Sequence, residues 1–129
     1  MIFLFDENIP RQVVKSLQAF NRPGLQFTHA LDHFPPATPD TDLFGELGRR
    51  GWFLVTQDRH MSKNKVERAA ILKSGVGVFV LTGSVERSLI QLGSFVLARI
   101  EEMMRMAEST RLPFIYGVTD RGKFKRLDT

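Results

Sequence analysis

Short apolar runs alternate along this chain with stretches in which apolar residues recur every three or four positions. Runs without polar alternation are typical of strands covered on both faces, and the longer spacing is typical of amphipathic helices. The order of these segments predicts an α/β sandwich around a mainly parallel sheet, with a hairpin appended at the end. The predicted strands are 2–5, 25–30, 52–55 and 76–81, followed by the hairpin strands 114–118 and 123–125.

Helices are predicted where capping and stopping residues flank the periodic segments. Asn8 is placed to cap a helix with Pro10 in its first turn, and Asp40 is placed to cap the next helix. A long amphipathic helix is predicted from Val85 to Ser109. The predicted helices therefore lie between 8 and 21, from 40 to about 51, from about 66 to 74 and from 85 to 109, with a proline-rich loop at 32–41 and a basic polar loop at 59–65.

Length and composition favour one folded domain. The 129 residues suit a single core, so we expect one domain over 1–129. The hydrophobic fraction of 43% and the charged fraction of 25% lie in the globular range. The sequence contains neither a long apolar run nor a signal-type segment, so the cytoplasm is the expected location and no membrane contact is expected. The chain has no cysteine, which excludes disulfides, thiolate metal sites and cysteine nucleophiles.

The net charge of +4 is unevenly distributed along the chain. Residues 1–58 contain 5 basic and 7 acidic side chains, a net −2, and residues 59–129 contain 13 basic and 7 acidic side chains, a net +6. An acidic centre beside a basic surface suits a metal-dependent enzyme that acts on a polyanion. A basic half is equally consistent with a solvated surface.

Carboxylates directly follow two of the predicted strands. Asp6 and Glu7 come after the first strand and Asp58 after the third, and Asp40 or Asp42 opens a helix at the same edge. Because the carboxyl ends of parallel strands meet at one edge of a sheet, these groups are expected to converge. A cation would relieve their repulsion, and oxygen ligands suit Mg²⁺ or Mn²⁺. The alternative is local, since acids also stabilise the positive end of a following helix.

Other polar residues are less informative. Glu67, early in the next helix, is a further candidate ligand. His29 and His33 lack a third partner at ligand spacing, so surface or loop roles are expected instead of a zinc site. His60, two residues after Asp58, is placed to touch a substrate phosphate.

Receiver domains of two-component signalling provide one comparison for the acidic positions. They carry an acidic pair after the first strand, a phosphorylatable Asp after the third and Thr or Ser after the fourth, positions that Asp6-Glu7, Asp58 and Thr82 fill here. The similarity fails after the fifth strand, where that family has Lys and then Pro and this chain has Thr119-Asp120. A phosphorylatable receiver is therefore the third-ranked hypothesis.

A second resemblance runs along almost the whole chain. The segments FLFDENIP, FPPATPDTD, GWFLVTQDRHMSKNKVERAAIL, GVGVFVLT and PFIYGVTDRGKFKRL resemble, in this order, the compact PIN-like domains of VapC-type toxins. The resemblance implies a three-layer α/β/α sandwich similar to metal-dependent ribonucleases, with clustered acids that bind Mg²⁺ or Mn²⁺. It implies catalytic and metal-binding roles for Asp6, Asp40 and Asp58, the last of which lies in a T-x-D motif.

One position departs from that family pattern. Many PIN-like sequences have another acid two residues after the T-x-D aspartate, where this chain has His60. Glu67 or Asp42 is therefore the expected additional metal ligand.

The leading hypothesis is a Mg²⁺- or Mn²⁺-dependent endoribonuclease that cleaves RNA as the toxin of a toxin–antitoxin pair. Its expected partners are RNA and a cognate antitoxin, and a homodimer is allowed. Arg59, His60, Lys63 and Lys65 are expected to engage RNA phosphates, with a solvated basic loop as the alternative. The basic last strand is expected to face RNA, to face the antitoxin or to be a protected sheet edge. A catalytically inactive PIN-like module that binds nucleic acid or protein is the runner-up.

Overall fold

The computed structural model describes residues 1–83 and 86–128, and its elements follow the predicted alternation of strands and helices. The strands are β1 Ile2–Phe5, β2 Gln26–His29, β3 Phe53–Thr56, β4 Gly77–Leu81, β5 Phe114–Val118 and β6 Phe124–Arg126. The helices are α1 Arg11–Gln18, α2 Asp40–Arg50, α3 His60–Lys63, α4 Lys65–Ser74 and α5 Leu89–Ser109, together with a 3₁₀ helix at Ala30–Asp32.

The strands form one six-stranded sheet in the order β2-β1-β3-β4-β5-β6. The first five strands of the chain run parallel to their neighbours, and β6 pairs antiparallel with β5 as a hairpin. The predicted α/β class, with a mainly parallel sheet and a hairpin at the end, is confirmed. We call the edge at which β1 to β5 end the carboxyl edge.

Helices cover both faces of the sheet and give it three layers. On the first face, α1 and α5 pack on one apolar cluster, which includes Phe3 and Phe5. On the second face, α2, α3 and α4 pack on another cluster, which includes Leu4. Successive residues of a strand point to opposite faces, so two covered faces require continuous apolar strands. This explains why the strand segments show no polar alternation.

Two predicted helix caps are wrong. Helix α1 has Pro10 at its N-cap position and no side-chain cap, while the backbone carbonyl of Asn8 accepts a hydrogen bond from the Gln57 side chain. Helix α2 has Pro39 at its N-cap position, so Asp40 is its first residue. Each proline holds φ near the helical value, at −58° and −54°, which starts the helix without a capping side chain.

Two further boundaries differ from prediction. The segment expected to be a basic loop contains the one-turn helix α3, because Met61 is fully buried against the second face. Helix α5 begins at Leu89 after a capping box formed by Ser88 and Gln91. Its predicted start, Val85, lies outside the described residues.

Helices α2 and α4 lie in close contact on the second face. A Cβ atom added to Gly48 of α2 would clash with the carbonyl oxygen of Ser74, the last residue of α4. Both helices follow strands that end at the carboxyl edge, so both begin at that edge. Within the described part of the chain, no helix is both long and apolar enough to cross a membrane.

Candidate metal centre

Three carboxylates from separate elements meet at the carboxyl edge. Asp40 is the first residue of α2, Asp58 follows β3, and Glu67 lies in the first turn of α4. One ligand oxygen from each of these residues lies within 4.8 Å of the other two. We call these three residues the acidic trio.

Glu67 reaches the trio because it takes no part in capping its own helix. Asn64 caps α4, since its side chain accepts hydrogen bonds from the amides of Val66 and Glu67 at 2.9 and 3.2 Å. The Asn64 amide donates to the carbonyl of His60, so the Glu67 carboxylate does not bond back to it as in a capping box. Among residues 1–83 and 86–128, Glu67 Oε2 is buried and has no hydrogen-bond partner.

Asp58 is oriented by the turn that leads into α3. Its Oδ1 atom accepts a hydrogen bond from the His60 amide at 3.0 Å, as in an Asx turn. This bond engages one carboxylate oxygen with the backbone. The second oxygen is therefore available to the trio.

Thr56 connects Asp58 to Asp6. The Thr56 hydroxyl donates to Asp6 Oδ2 at 2.8 Å and accepts from the Asp58 amide at 3.0 Å. Asp6 Oδ1 accepts from the Glu7 amide at 2.7 Å. Thr56 is fully buried and Asp6 is 8% exposed, so these bonds lie at the end of two central strands. Local hydrogen bonding therefore fixes the carboxylate of Asp6.

Asp6 lies beside the acidic trio but outside it. The predicted set was Asp6, Asp40 and Asp58, whereas the three residues within mutual ligand distance include Glu67 instead of Asp6. Asp6 and Asp40 line one small cavity of about 20 Å³, and the charge of Asp6 contributes to the raised pKa of Asp40. Asp6 is thus close enough to act on the trio electrostatically.

Glu7 supports the loop that leads to Asp40. Its carboxylate oxygens lie 3.2 and 3.3 Å from the amide nitrogen of Ala37, which donates to them. Ala37 has a left-handed backbone with φ of 58°, a conformation that costs free energy in a residue other than glycine. The Glu7 carboxylate therefore stabilises an unfavourable turn three residues before Asp40.

Burial and mutual repulsion raise the pKa values of the clustered acids. Burial raises the pKa of Asp40, and the charges of Asp6 and Asp58 raise it further. Burial also raises the pKa of Glu67, and the charges of Asp40 and Asp58 and a hydrogen bond with the Asp40 carboxyl act in the same direction. The pKa of Asp6 is raised by its burial, against the hydrogen bonds from Thr56 and the Glu7 amide. Asp40 and Glu67 lie in first helical turns, where the helix dipole offsets part of this cost.

The remaining predicted site residues lie around the trio. Asp42 is exposed and lines a neighbouring groove, so the structure does not bring it into the trio. The four basic-segment residues are exposed on the chain between Asp58 and Glu67; they are Arg59, His60, Lys63 and Lys65.

His29 does not have the surface or loop role expected for it. It is 2% exposed, its Nε2 atom lies 2.7 Å from the carbonyl of Ile9, and its Nδ1 atom accepts from the Leu31 amide. These contacts fix the tautomer with the proton on Nε2. They join the end of β2 to the loop that follows Asp6. His33 is exposed and bonds Thr28 through its Nε2 atom, in line with prediction.

The donor set of the trio fits a hard divalent cation. All of its ligand atoms are carboxylate oxygens, which suit Mg²⁺ or Mn²⁺. Glu67 Oε2 is buried without a donor among the described residues, which costs free energy, and either a bound cation or a proton shared with Asp40 would satisfy it. Asp40, Asp58 and Glu67 would hold the ion. The fold and this site define an α/β protein with an acidic centre at the ends of its parallel strands.

The comparison with known families agrees with this class. The family model for a PIN-like domain matches residues 1–83, which is 83 of the 129 residues. No curated protein and no solved structure matches the chain. The matched segment contains Asp6 and the whole acidic trio. The chain therefore belongs to the PIN-like domain family, which confirms that part of the sequence-based resemblance.

Sequence reasoning did not assign a role to Thr56 or to the contact between Glu7 and Ala37. The T-x-D motif contained a signal for Thr56, because a hydroxyl two residues before an acid can accept from its amide. No comparable signal marked Ala37. Its pairing with Glu7 joins residues that are 30 positions apart, and the fold alone brings them together.

Proposed function

We propose that this protein is a Mg²⁺- or Mn²⁺-dependent endoribonuclease that hydrolyses RNA phosphodiester bonds. The observation that carries the proposal is the acidic trio, with three oxygen ligands within 4.8 Å and one buried oxygen without a partner. Membership of the PIN-like family supports it, since such domains are commonly nucleases.

Each acidic residue has a role in this mechanism. Asp40, Asp58 and Glu67 would hold the ion, which would supply an activated water and charge neutralisation at the phosphodiester. Asp6 acts as a further metal-site residue, in direct contact or through its charge. Thr56 holds Asp6 and Asp58 in fixed relative positions through its two hydrogen bonds. The Asx turn at His60 engages one oxygen of Asp58 and leaves the other available to the ion.

The basic segment after Asp58 is the proposed substrate-binding surface. Arg59, His60, Lys63 and Lys65 are exposed and lie on the chain that connects two members of the trio. Their side chains would hold RNA phosphates close to the bound ion. The His60 amide donates to Asp58 Oδ1 at 3.0 Å, so this residue lies next to the centre.

The biological context is a finer part of the proposal. The motif resemblance to VapC-type toxins supports a toxin that a cognate antitoxin restrains in the cytoplasm, and a homodimer is compatible with it. Beyond residue 83, β5 and β6 belong to the same sheet and α5 packs on its first face, which supports one PIN-like domain over 1–129. An antitoxin encoded beside the protein would copurify with it and inhibit cleavage.

Metal-dependent cleavage of RNA by the purified protein tests the nuclease function. We expect cleavage of total RNA with Mn²⁺ or Mg²⁺ and none with EDTA. Asp40→Asn and Asp58→Asn are expected to cut at least about a hundredfold more slowly, because each removes a charged ligand of the ion. Asp42→Asn is the matched control, since Asp42 lies two residues from Asp40 in the same helix turn, outside the trio, and is expected to cut normally.

Two results would contradict the nuclease proposal. One is cleavage that survives EDTA, and the other is a normal rate in Asp58→Asn. If the wild type binds RNA without cutting it under any metal condition, the protein is the inactive PIN-like binding module that the sequence left as the alternative.

A further inference from the structure

The β5–β6 hairpin carries exposed cations that the proposed centre does not use. Arg121, Lys123 and Lys125 are exposed, and within residues 1–83 and 86–128 none of them forms an ion pair. Their neighbour Arg126 differs, because it pairs with Asp128. We call Arg121, Lys123 and Lys125 the hairpin cations.

The two lysines lie on the second face of the sheet. Phe124 packs edge-to-face on Phe79 and Tyr116, which belong to the cluster of the first face. Strand side chains alternate between faces, so Lys125 of β6, which pairs with Gly117, points to the opposite side. Lys123 directly precedes β6 and continues this pattern, because its carbonyl accepts from the Thr119 amide. That side also carries α4, whose first turn contributes Glu67 to the trio. The hairpin lysines and the acidic trio therefore share one face.

The hairpin turn also lies at the same edge as the trio. Residues 119–122 follow the end of β5, and the amide of Thr119 donates to the carbonyl of Lys123 across the turn. The half-buried Arg87 holds this turn, since it bonds Asp120 and the Thr82 carbonyl. Three strand spacings, about 14 Å, separate β3 from β6. A strand of a few nucleotides can span that distance.

We propose that a single-stranded nucleic acid bound at the acidic trio continues across the ends of β4 and β5 and places its phosphates on the hairpin cations. This inference rests on the proposed nuclease function and extends its substrate site. The ring of Phe124 packs edge-to-face on Phe79 and Tyr116 on the first face, on the side opposite the lysines. The hairpin therefore contacts phosphates, which position the strand without reading its sequence.

The test compares two triple variants that lose the same charge. The first is Arg121→Ala, Lys123→Ala and Lys125→Ala. The control is Lys15→Ala, Lys73→Ala and Arg111→Ala, whose exposed side chains lie late in α1, late in α4 and before β5, towards the opposite edge. Binding of a fluorescein-labelled 12-nucleotide RNA is measured by anisotropy in EDTA, so that cleavage does not interfere.

We expect the hairpin variant to bind the RNA at least about tenfold more weakly at 100 mM salt. The slope of log K against log salt concentration should also become smaller by about 2, because each of the three lost phosphate contacts contributes roughly 0.7. The control is expected to stay within about twofold of the wild type. Melting temperature and Mn²⁺ affinity should be unchanged in both variants, because all six side chains are exposed and distant from the trio.

Binding within about twofold of the wild type, with an unchanged salt slope, would overturn the inference. So would an equal loss in the control, because net charge alone would then explain it. If the hairpin variant binds RNA normally but associates on gel filtration, the lysines only protect the sheet edge. A wild type that never cleaves RNA, with binding lost in the hairpin variant alone, refutes the nuclease function and leaves the hairpin surface intact.

Discussion

Thr56 is the residue on which the geometry of two acids depends. Its hydroxyl is a donor to Asp6 and an acceptor for the Asp58 amide at the same time. The residue is fully buried, the bond to Asp6 is buried and the bond from the Asp58 amide is partly buried. A hydroxyl at this position therefore couples the end of β1 to the turn after β3.

Replacing Thr56 by valine tests this coupling, since valine keeps the shape and removes the hydroxyl. We expect Thr56→Val to lower the free energy of unfolding by about 2 kcal/mol, because it leaves a buried carboxylate oxygen and a partly buried amide without these partners. Thr56→Ser keeps the hydroxyl and loses one methyl group, which costs about 1 kcal/mol. Urea denaturation measures both. A valine variant as stable as the serine variant would show that the hydroxyl bonds contribute little.

At the scale of elements, the packing of α2 on α4 determines where the trio forms. Asp40 and Glu67 lie at the starts of these two helices, and Gly48 allows the helices to approach near their other ends. A side chain at Gly48 would meet the backbone of Ser74, which cannot move aside as a flexible side chain can. The spacing of the helices is therefore coupled to the spacing of two proposed metal ligands.

Two glycines of α2 provide a matched test of this coupling. We expect Gly48→Ala to destabilise the protein by about 1–3 kcal/mol through overpacking. Gly45→Ala, three residues earlier with open space around the added Cβ, is expected to stabilise it by about 0.5–1 kcal/mol. Thermal unfolding measures the stability, and Mn²⁺ titration should show weaker binding only in Gly48→Ala. Equal metal affinity in both variants would contradict the proposed link between helix spacing and the trio.

At the scale of the whole molecule, the protein concentrates negative charge in one place and carries positive charge on two segments beside it. Asp6, Asp40 and Glu67 all have raised pKa values, because burial and mutual repulsion disfavour their charged forms. Without a cation, the cluster therefore reduces the stability of the fold at neutral pH. The clustered acids that the proposed metal site requires thus lower the stability of the metal-free protein.

The pH dependence of the metal-free protein should reveal this cost. A carboxyl group whose folded pKa is raised binds more protons in the folded state, so its contribution to stability falls as pH rises from the unfolded pKa, about 4, through the folded pKa. In EDTA, Asp40→Asn should match the wild type near pH 4 and be more stable at pH 7 by about 1 kcal/mol.

Addition of Mn²⁺ at pH 7 should reverse the order of the two proteins. At a concentration of 100 times its Kd, the ion stabilises the wild type by about 2.7 kcal/mol and has little effect on Asp40→Asn. Differential scanning fluorimetry at each pH checks both parts. A variant no more stable than the wild type at pH 7 in EDTA would mean that the cluster carries no repulsive cost.

Sequence patterns predicted the fold better than the site. Strands and helices follow from local patterns, and the helix boundaries that were wrong depended on contacts of single residues such as Met61. Asp40 and Asp58 were predicted as ligands and belong to the trio, whereas Glu67 was predicted only as a substitute. Whether Glu67 faces the centre depends on the orientation of α4, which its packing on α2 sets.

The sequence by itself determined the α/β alternation, the family and the presence of acids at strand ends. These features are local, because strands buried on both faces require continuous apolar runs and a following acid is visible in the same segment. Only the tertiary structure decided which acids meet. Asp40, Asp58 and Glu67 come from three elements, and their oxygen atoms converge through strand order and helix packing, which no local pattern encodes.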